Sequence, residues 1–255
     1  HGQVMLYQGL AHSYNVATAR LGLDLGVNAV IRTLRRLSVE QTLNPYPSLF
    51  LGASELSLLD VTRLYLNFAS GGFQLQLRSI REVLDAGDVP LQRYELSVER
   101  VIDPAPAYLI NRALQMVVEE GTARSLNRRF AAKLGLAGKT GTTNDLRDSW
   151  YAGYDGEKLA VVWMGRDDNQ PMGLSGASGA MQVWSGLFAS AGTVTHQPAK
   201  AEGIEWYRVD RASAGLADKG CKDTVQLPFI ESEAKPAAAP CARGRPLHWL
   251  PEWLQ

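Results

Sequence analysis

Cysteine and histidine are scarce in this sequence. The 255 residues include two cysteines and four histidines, the latter at His1, His12, His196 and His248. No third cysteine and no histidine near the two cysteines completes a set of metal ligands. No two histidines have the spacing of metal ligands. The sequence therefore predicts no metal site, and nothing in it indicates a cofactor.

A charge excess and a long apolar run are also missing. The 26 basic and 26 acidic residues give a formal net charge of zero, so electrostatics give no reason to expect nucleic acid or an anionic membrane as a partner. No run approaches the roughly 18 uncharged apolar residues of a spanning helix. No signal peptide opens the chain. Because it begins at His1 and runs at once into a helical pattern, we expect a piece of a longer protein.

The apolar pattern predicts helices first, then strands, then a closing helix. Helical spacing covers 16–25 and 27–37, and Ser57 to Asp60 is typical of a capping box ahead of the next helix. The remaining predicted elements are a hairpin at 78–97, a helix from Pro104, strands at 133–143, 149–154 and 159–165, and a helix over 181–188. This order predicts an α+β fold with an antiparallel sheet rather than a βαβ repeat.

The stretch G-K-T-G-T-T at 138–143 is the most informative short segment. It combines a cation, small hydroxyls and glycines, which fits a phosphate-binding loop, a plain hairpin edge, or a cleft wall that holds a carboxylate. A Walker loop requires a glycine where this chain has Lys133, and a helix rather than a strand afterwards. The pattern disfavours phosphate binding and leaves the other two interpretations open.

A second short motif separates those two interpretations. K-T-G on a strand, preceded in the chain by S-x-N, is the signature of penicillin-recognising serine enzymes. S-x-N occurs twice, at Ser13–Asn15 and Ser125–Asn127. The second occurrence lies too close to Lys139 for a helical subdomain to separate them. We therefore predict that Ser13 is functional, and the alternative is that it only caps the following helix.

Longer segments extend this pattern over residues 10–192. They are L-G-A-S-E-L-S-L-L-D-V-T-R-L-Y-L-N-F-A-S-G-G at 51–72, V-V-E-E-G-T-A-R at 117–124, L-A-G-K-T-G-T-T-N-D at 136–145, W-M-G-R-D-D-N-Q-P at 163–171 and G-A-S-G-A at 176–180. In this order they resemble the transpeptidase domain of class A, bifunctional penicillin-binding proteins, and the C-terminal region is similar to the 1b branch. The resemblance implies the serine β-lactamase/transpeptidase-like fold, with an antiparallel sheet flanked by helices and an all-helical subdomain.

The resemblance implies acyl transfer on the D-Ala-D-Ala end of peptidoglycan stem peptides. A serine attacks, D-Ala leaves, and an amine of a neighbouring stem resolves the acyl-enzyme into a crosslink, whereas β-lactams mimic the donor and trap the serine. Ser13 is then expected to relay a proton to the leaving nitrogen. Asn15 is expected to bind the substrate amide, and Lys139 to supply positive charge.

The rest of the 138–143 motif is implied to hold the substrate. Thr140 and Thr142, followed by Thr143, are expected to bind the substrate carboxylate, and Gly141 lets the substrate backbone lie along the strand. The N–H of Thr142 is the expected second oxyanion donor. Strand alternation puts both threonines on one face and Lys139 on the other, so the strand must border the cleft by its edge or twist locally.

The family's nucleophile and base, an S-x-x-K motif, have no counterpart before Ser13. The chain's one S-x-x-K is Ser232–Lys235, after K-T-G in a Pro/Ala-rich stretch, and we interpret it as a chance match. We therefore expect the nucleophile in an upstream part of the same protein, and we expect this chain alone to form no acyl-enzyme.

The resemblance also implies a cellular setting. It gives the upstream part a glycosyltransferase domain and a membrane anchor, and it places the protein at the periplasmic face of the bacterial inner membrane. The implied partners are stem peptides, β-lactams, an outer-membrane lipoprotein activator, and divisome or elongasome proteins. Nucleic acid is not among them.

The C-terminal region differs from the rest of the chain in its sequence pattern. We predict a transpeptidase part over 1–195 and a small appendage over 196–255. A disulfide between Cys221 and Cys241 is the favoured state, which implies an oxidising compartment, and free thiols of a cytosolic protein are the alternative. The tail W-L-P-E-W-L either packs its tryptophans or stays mobile.

Two other functions remain open. One is a non-catalytic relative that binds stem peptide or a cell-wall partner, and an S-x-x-K shortly upstream of this chain would exclude it. The other is a D,D-carboxypeptidase or β-lactamase of the same fold, which hydrolyses its acyl-enzyme. A preceding anchor and glycosyltransferase domain would exclude the second.

Overall fold

The computed structural model describes residues 2–242, in two compact units made of residues 6–199 and of residues 2–5 with 200–242. Its α-helices are α1 (Leu6–Ala11), α2 (Asn15–Leu25), α3 (Val27–Arg36), α4 (Leu58–Ala69), α5 (Pro104–Glu119) and α6 (Ala180–Ala191). Its strands are β1 (Phe73–Leu75), β2 (Glu82–Leu84), β3 (Pro90–Arg93), β4 (Val98–Arg100), β5 (Ala137–Thr142), β6 (Ser149–Tyr154), β7 (Leu159–Met164), β8 (Ile204–Asp210) and β9 (Thr224–Ile230). None of the helices in this part of the chain has the length and apolar character needed to cross a membrane.

Signals in the sequence mark the end of α2 and the start of α4. α2 ends where Gly26 adopts a φ of +83°, a conformation that costs glycine little. α4 begins at a complete capping box, in which Ser57 and Asp60 each accept the other's backbone N–H. A buried cluster that includes Val39 packs against the apolar side of α3. The helices predicted for 16–25 and 27–37 and the capping box are therefore confirmed.

The predicted hairpin at 78–97 is present, with an additional strand pair beside it. β2 and β3 pair antiparallel around a turn in which the Asp85 carboxylate accepts the N–H groups of Gly87 and Val89. β1 and β4 also pair with each other, and this pair was not predicted. Each of those two strands has three residues, which is too short for an alternating pattern to be read.

Helix α5 fixes the position of the segment that carries Ser13. It begins with Pro104 at its first position, as predicted. After its last turn, Gly121 passes so close to the Ala11 carbonyl that a side chain at 121 would clash with it. The Thr122 N–H donates to the same carbonyl at 2.9 Å. The end of α1, and the Ser13 segment after it, is therefore held beside the end of α5.

A three-stranded antiparallel sheet in the order β5-β6-β7 is the centre of the 6–199 unit. Its register places Lys139 opposite Ala152 and Gly141 opposite Trp150. Helix α5 packs against β5, while α6 packs against β6 and β7. β5 is thus an edge strand of this sheet within residues 2–242.

The first strand of this sheet is shorter than predicted. It begins at Ala137 instead of 133, because Ala132–Leu134 form a 3-10 turn that ends at Gly135 with a φ of +62°. The apolar residues of that turn resemble strand residues in the sequence, and only the glycine marks the break. The motif G-K-T-G-T remains within the strand.

The unit of residues 2–5 with 200–242 contains a two-stranded ribbon and a disulfide. β8 and β9 pair antiparallel along their full length, and the disulfide joins Cys221 and Cys241. Ala217, Ala239 and Ala242 pack with Cys221 in a small buried cluster. The tail W-L-P-E-W-L, for which packing and mobility were the alternatives, lies outside the described residues.

Asp155 ties the β6–β7 turn to the segment after α6. This carboxyl is 3% exposed and accepts hydrogen bonds from the N–H groups of Glu157, Lys158 and Val194 at 2.7–3.0 Å. Burial alone would raise its pKa, but these backbone donors, with the Lys158 ammonium 3.2 Å away, hold the pKa of Asp155 below its usual value.

We expect Asp155→Asn to destabilise the protein by about 2–3 kcal/mol, since it removes a hydrogen-bonded charge. A carboxyl with a lowered folded-state pKa contributes stability above its unfolded-state pKa of 3.8 and loses it as the pH falls through the folded-state value. The wild-type advantage should therefore be complete at pH 6 and shrink on acidification below pH 4. Urea unfolding at both pH values measures this, with Asp167→Asn, an exposed carboxyl, as the control. An advantage that does not change with pH would contradict the assignment.

Candidate active site

Ser13 and Lys139 meet although 126 residues separate them in the chain. The Lys139 Nζ donates to the Ser13 Oγ at 3.1 Å and to the Thr140 carbonyl at 2.9 Å. Ser13 has a φ of +56°, a left-handed conformation that few non-glycine residues adopt. The residue that caps α2 is Tyr14, and no side chain caps this helix. The hydroxyl of Ser13 therefore contacts the lysine instead of serving as a helix cap.

Desolvation weakens the charge of Lys139. Burial lowers the pKa of its ammonium from 10.5 to about 8. At neutral pH the group is mostly charged, but it gives up a proton far more readily than a lysine in water. The pair can therefore attract an anion and also pass a proton through the Ser13 hydroxyl.

The hydroxyls of Thr140 and Thr142 are each held by a second residue. The Oγ1 atoms of Thr140 and Thr122 lie 2.7 Å apart. The Thr142 Oγ1 accepts the N–H of Gly176 at 2.9 Å. Because that lone pair is already used, the Thr142 hydroxyl is left to donate its proton. The two contacts orient the hydroxyls that were predicted to hold a carboxylate.

Gly176 reaches this position only because it lacks a side chain. A Cβ at this residue would lie 2.5 Å from the Gly141 carbonyl and 2.7 Å from that of Trp150. The loop before α6 therefore packs directly on the paired strands β5 and β6. The same loop is held by Ser149, whose Oγ donates to the Ser175 carbonyl and accepts the N–H of Ala180, both at 2.8 Å.

Thr143 belongs to a separate hydrogen-bonded group at the end of β5. Its hydroxyl donates to the Asp148 carboxylate at 2.9 Å and accepts the Asp148 N–H at 2.8 Å. The other oxygen of that carboxylate accepts the indole N–H of Trp163 at 2.9 Å. Thr143 therefore closes the turn after the strand, and its hydroxyl is engaged within the protein.

The asparagines of the two S-x-N motifs, Asn15 and Asn127, lie in different surroundings. Asn15 is exposed at the start of α2, and its side chain forms no hydrogen bond with the described residues. Asn127 of the second motif donates to the carbonyls of Val118 and Glu119 at the end of α5. The second asparagine therefore has a structural role, whereas Asn15 is available to a ligand.

Three residues of the site were not singled out from the sequence. Thr122 and Gly176 lie inside segments quoted for the resemblance, and Asp148 follows the motif closely, but none has a recognisable pattern of its own. Their importance comes from contacts between distant parts of the chain. Within residues 2–242, no cluster of three or more histidine, cysteine or acidic side chains could hold a metal ion.

The family model for the penicillin-binding protein transpeptidase domain matches residues 1–181. Penicillin-binding protein 1B of Vibrio cholerae serotype O1 is 36% identical over 250 residues, which are 98% of this chain and 32% of that protein. The protein of the same name from Escherichia coli K12 is 41% identical over 191 residues, 74% of this chain and 22% of that protein. The chain thus spans a third or less of the length of these relatives.

Solved structures share the fold at lower sequence identity. Penicillin-binding protein 1A from Haemophilus influenzae superposes with a TM-score of 0.84 at 22% identity, over 92% of this chain and 41% of that chain. PonA1 from Mycobacterium tuberculosis superposes with a TM-score of 0.66 at 18% identity, over 92% of this chain and 63% of that chain. The predicted α+β class and the resemblance to class A proteins of the 1b branch are confirmed. Since the domain model covers most of the chain, including the K-T-G strand and the serine beside it, the chain belongs to the family of penicillin-binding protein transpeptidase domains.

Proposed function

We propose that this chain is the larger, C-terminal part of a serine D,D-transpeptidase that crosslinks peptidoglycan stem peptides and is acylated by β-lactams. The observation that carries the proposal is the hydrogen bond between Lys139 and Ser13, which joins K-T-G to S-x-N in one site. On a plain hairpin edge, the lysine side chain would be expected to remain in water with its ordinary pKa. A cleft that handles protons and binds an anion requires such a group.

The proposed reaction needs a nucleophile and residues that transfer protons and bind the substrate. The nucleophilic hydroxyl attacks the carbonyl carbon of the penultimate D-Ala, the C–N bond breaks, and the terminal D-Ala leaves with a proton on its nitrogen. Ser13 delivers that proton, because its hydroxyl accepts from Lys139 and donates to the leaving nitrogen. An acceptor amine then attacks the ester, forms the new amide and releases the nucleophile. Asn15 binds the substrate amide from the exposed side of the site.

The terminal carboxylate of the donor is held by charge and hydroxyl groups. Lys139 provides the charge, and Thr140 and Thr142 donate hydroxyl protons whose directions are set by Thr122 and Gly176. Gly141 allows the substrate backbone to pair along the edge of β5. In this proposal, Thr143 shapes the end of the strand instead of contacting substrate.

The nucleophile is proposed to come from an S-x-x-K motif outside this chain. Within the described residues, Ser232 and Lys235 lie in a turn and loop, not on a helix face that would bring them together. Lys235 pairs with Glu205 and lies over the Tyr207 ring, and these neighbours raise its pKa, which opposes a role as base. The small share of the relatives' length that this chain spans supports a longer protein.

The longer protein is proposed to be a bifunctional cell-wall synthase. In this proposal, a glycosyltransferase domain and a membrane anchor precede the chain, at the periplasmic face of the inner membrane, and a lipoprotein activator and divisome or elongasome proteins bind it. The helices α2 to α4 contribute to an all-helical subdomain. The transpeptidase part covers 1–195, and the disulfide-bonded appendage covers 196–255.

Release of D-Ala tests the proposed function and its alternatives. The full-length protein, given a stem pentapeptide and an acceptor amine, should release D-Ala and form the crosslinked amide in similar amounts. D-Ala release without crosslink would indicate a carboxypeptidase. No release and no β-lactam adduct would indicate a non-catalytic binding module.

The pH dependence of acylation tests the charge on Lys139. Because the protonated form binds the carboxylate and its pKa is about 8, acylation by benzylpenicillin should fall above that pH. The protonated fraction drops from one half at the pKa to about one tenth one pH unit higher. Lys139→Arg remains charged throughout this range, so its rate, although lower, should show no decline between pH 8 and 9.5. Stopped-flow or gel-based acylation rates measure both profiles, and an equal decline in the variant would contradict the assignment.

A further inference from the structure

A polar cavity of about 260 Å³ lies between the 3-10 helix Arg124–Arg128 and helix α6. Its walls are formed by Ser125, Leu126, Arg128, Arg129, Gln182 and Ser185. None of these residues belongs to the transpeptidase site described above. Ser125 is the serine of the second S-x-N motif, which that function leaves unused.

The serine and arginine side chains of this cavity form no hydrogen bond or ion pair within residues 2–242, whereas the Gln182 side-chain amide donates to the Ala177 carbonyl at 2.8 Å. Ser185 is 4% exposed, yet its hydroxyl forms no hydrogen bond with any described residue. Arg128 and Arg129 likewise form no ion pair or side-chain hydrogen bond within residues 2–242. A ligand oxygen in the cavity would satisfy these groups.

The charged residues that line the cavity have one sign. They are Arg128 and Arg129, and no acidic side chain belongs to the lining. Helix α6, which forms the opposite wall, carries no charged residue. Arg128 and Arg129 are exposed to solvent at a concave site, and positive charge there attracts anions. The ligand is therefore expected to be an anion.

We propose that this cavity binds the phosphate group of a phosphoester. Guanidinium groups match the oxygens of phosphate through paired hydrogen bonds, and the hydroxyls of Ser125 and Ser185 supply two further donors. A carboxylate has only two oxygens and would leave part of this donor set unused. The volume is below the roughly 300–1,000 Å³ of pockets that enclose drug-sized ligands. The cavity thus takes a phosphate and the atoms next to it, from a lipid headgroup or a soluble phosphoester.

Calorimetric titration of the full-length protein with inorganic phosphate tests this site, and it does not depend on transpeptidase activity. We expect saturable binding that weakens at least tenfold in the double variant Arg128→Gln/Arg129→Gln. The double variant Arg32→Gln/Arg81→Gln changes the net charge equally at two exposed arginines outside the cavity, and it should bind phosphate like the wild type. Ser185→Ala should bind several-fold more weakly without any change in charge.

Vesicles distinguish the two sources of phosphate. Binding to phosphatidylglycerol vesicles but not phosphatidylcholine vesicles, lost in the Arg128/Arg129 double variant, would support a lipid headgroup. Phosphate binding without vesicle binding would support a soluble phosphoester. Absence of saturable phosphate binding would overturn the proposal, and so would equal weakening in the two double variants. Circular dichroism spectra establish that all variants are folded.

Discussion

Replacing Lys139 with alanine in the full-length protein is expected to slow acylation by benzylpenicillin about 10²–10³-fold, the usual effect of removing one preorganised electrostatic group from an active site. Two losses combine in this variant. The carboxylate of the β-lactam loses its charged partner, and the Ser13 hydroxyl loses the donor that orients it at 3.1 Å. The second-order rate constant of acylation measures the effect.

The matched control for this variant is Lys133→Ala. Lys133 is an exposed lysine in the turn before β5 and has no described partner, so its removal changes the net charge by the same amount. The control should acylate at the wild-type rate. A Lys139→Ala variant that keeps its folded spectrum and acylates within about threefold of the wild type would contradict the role given to Lys139. The site would then depend on hydroxyl donors alone.

Replacing Trp184 with alanine is expected to lower the free energy of unfolding by about 3–5 kcal/mol, the cost typical of deleting a large buried ring. Trp184 is 0% exposed and stacks on Phe188 with ring centroids 3.8 Å apart. It also meets Tyr151 edge to face at 5.2 Å. Its indole N–H donates to the Gly153 carbonyl at 3.1 Å, so the variant also loses this hydrogen bond to the central sheet.

Leu187→Ala is the matched control for this prediction. Leu187 lies on the same helix and is 53% exposed, so its loss should cost no more than about 1 kcal/mol. Urea unfolding of the chain, followed by circular dichroism, gives both values. Similar costs for the two variants would contradict the placement of Trp184 at the centre of the core. The Trp184→Ala variant should also loosen β6, which is the strand that pairs with K-T-G on β5.

Local signals account for most of the elements that the sequence predicted. The capping box at Ser57 and the left-handed Gly26 act within a few residues, so they are readable without tertiary contacts. The start of β5 was misread because the turn Ala132–Leu134 has the composition of a strand. β1 and β4 were missed because their pairing joins two short segments distant in sequence. Tertiary context decided both cases.

Some residues of the candidate site could be predicted from short motifs, and others could not. K-T-G and S-x-N are short motifs with fixed chemistry, and they identified Lys139 and Ser13 before any contact was known. The residues that hold the threonine hydroxyls, Thr122 and Gly176, were not identified, since a single threonine or glycine has no distinctive pattern. The contact of Gly176 with β5 depends on a missing side chain. Only the folded chain reveals such an approach.

We infer that these residues form one part of a transpeptidase site and that its nucleophile lies in another part of a longer protein. Intact-mass measurement after incubation with benzylpenicillin tests it most directly, with the 255-residue chain and the full-length protein treated in parallel. We expect one penicilloyl adduct on the full-length protein, at a serine outside the 255 residues, and no adduct on the chain alone. An adduct on the 255-residue chain, mapped to Ser13 or Ser232, would contradict this account.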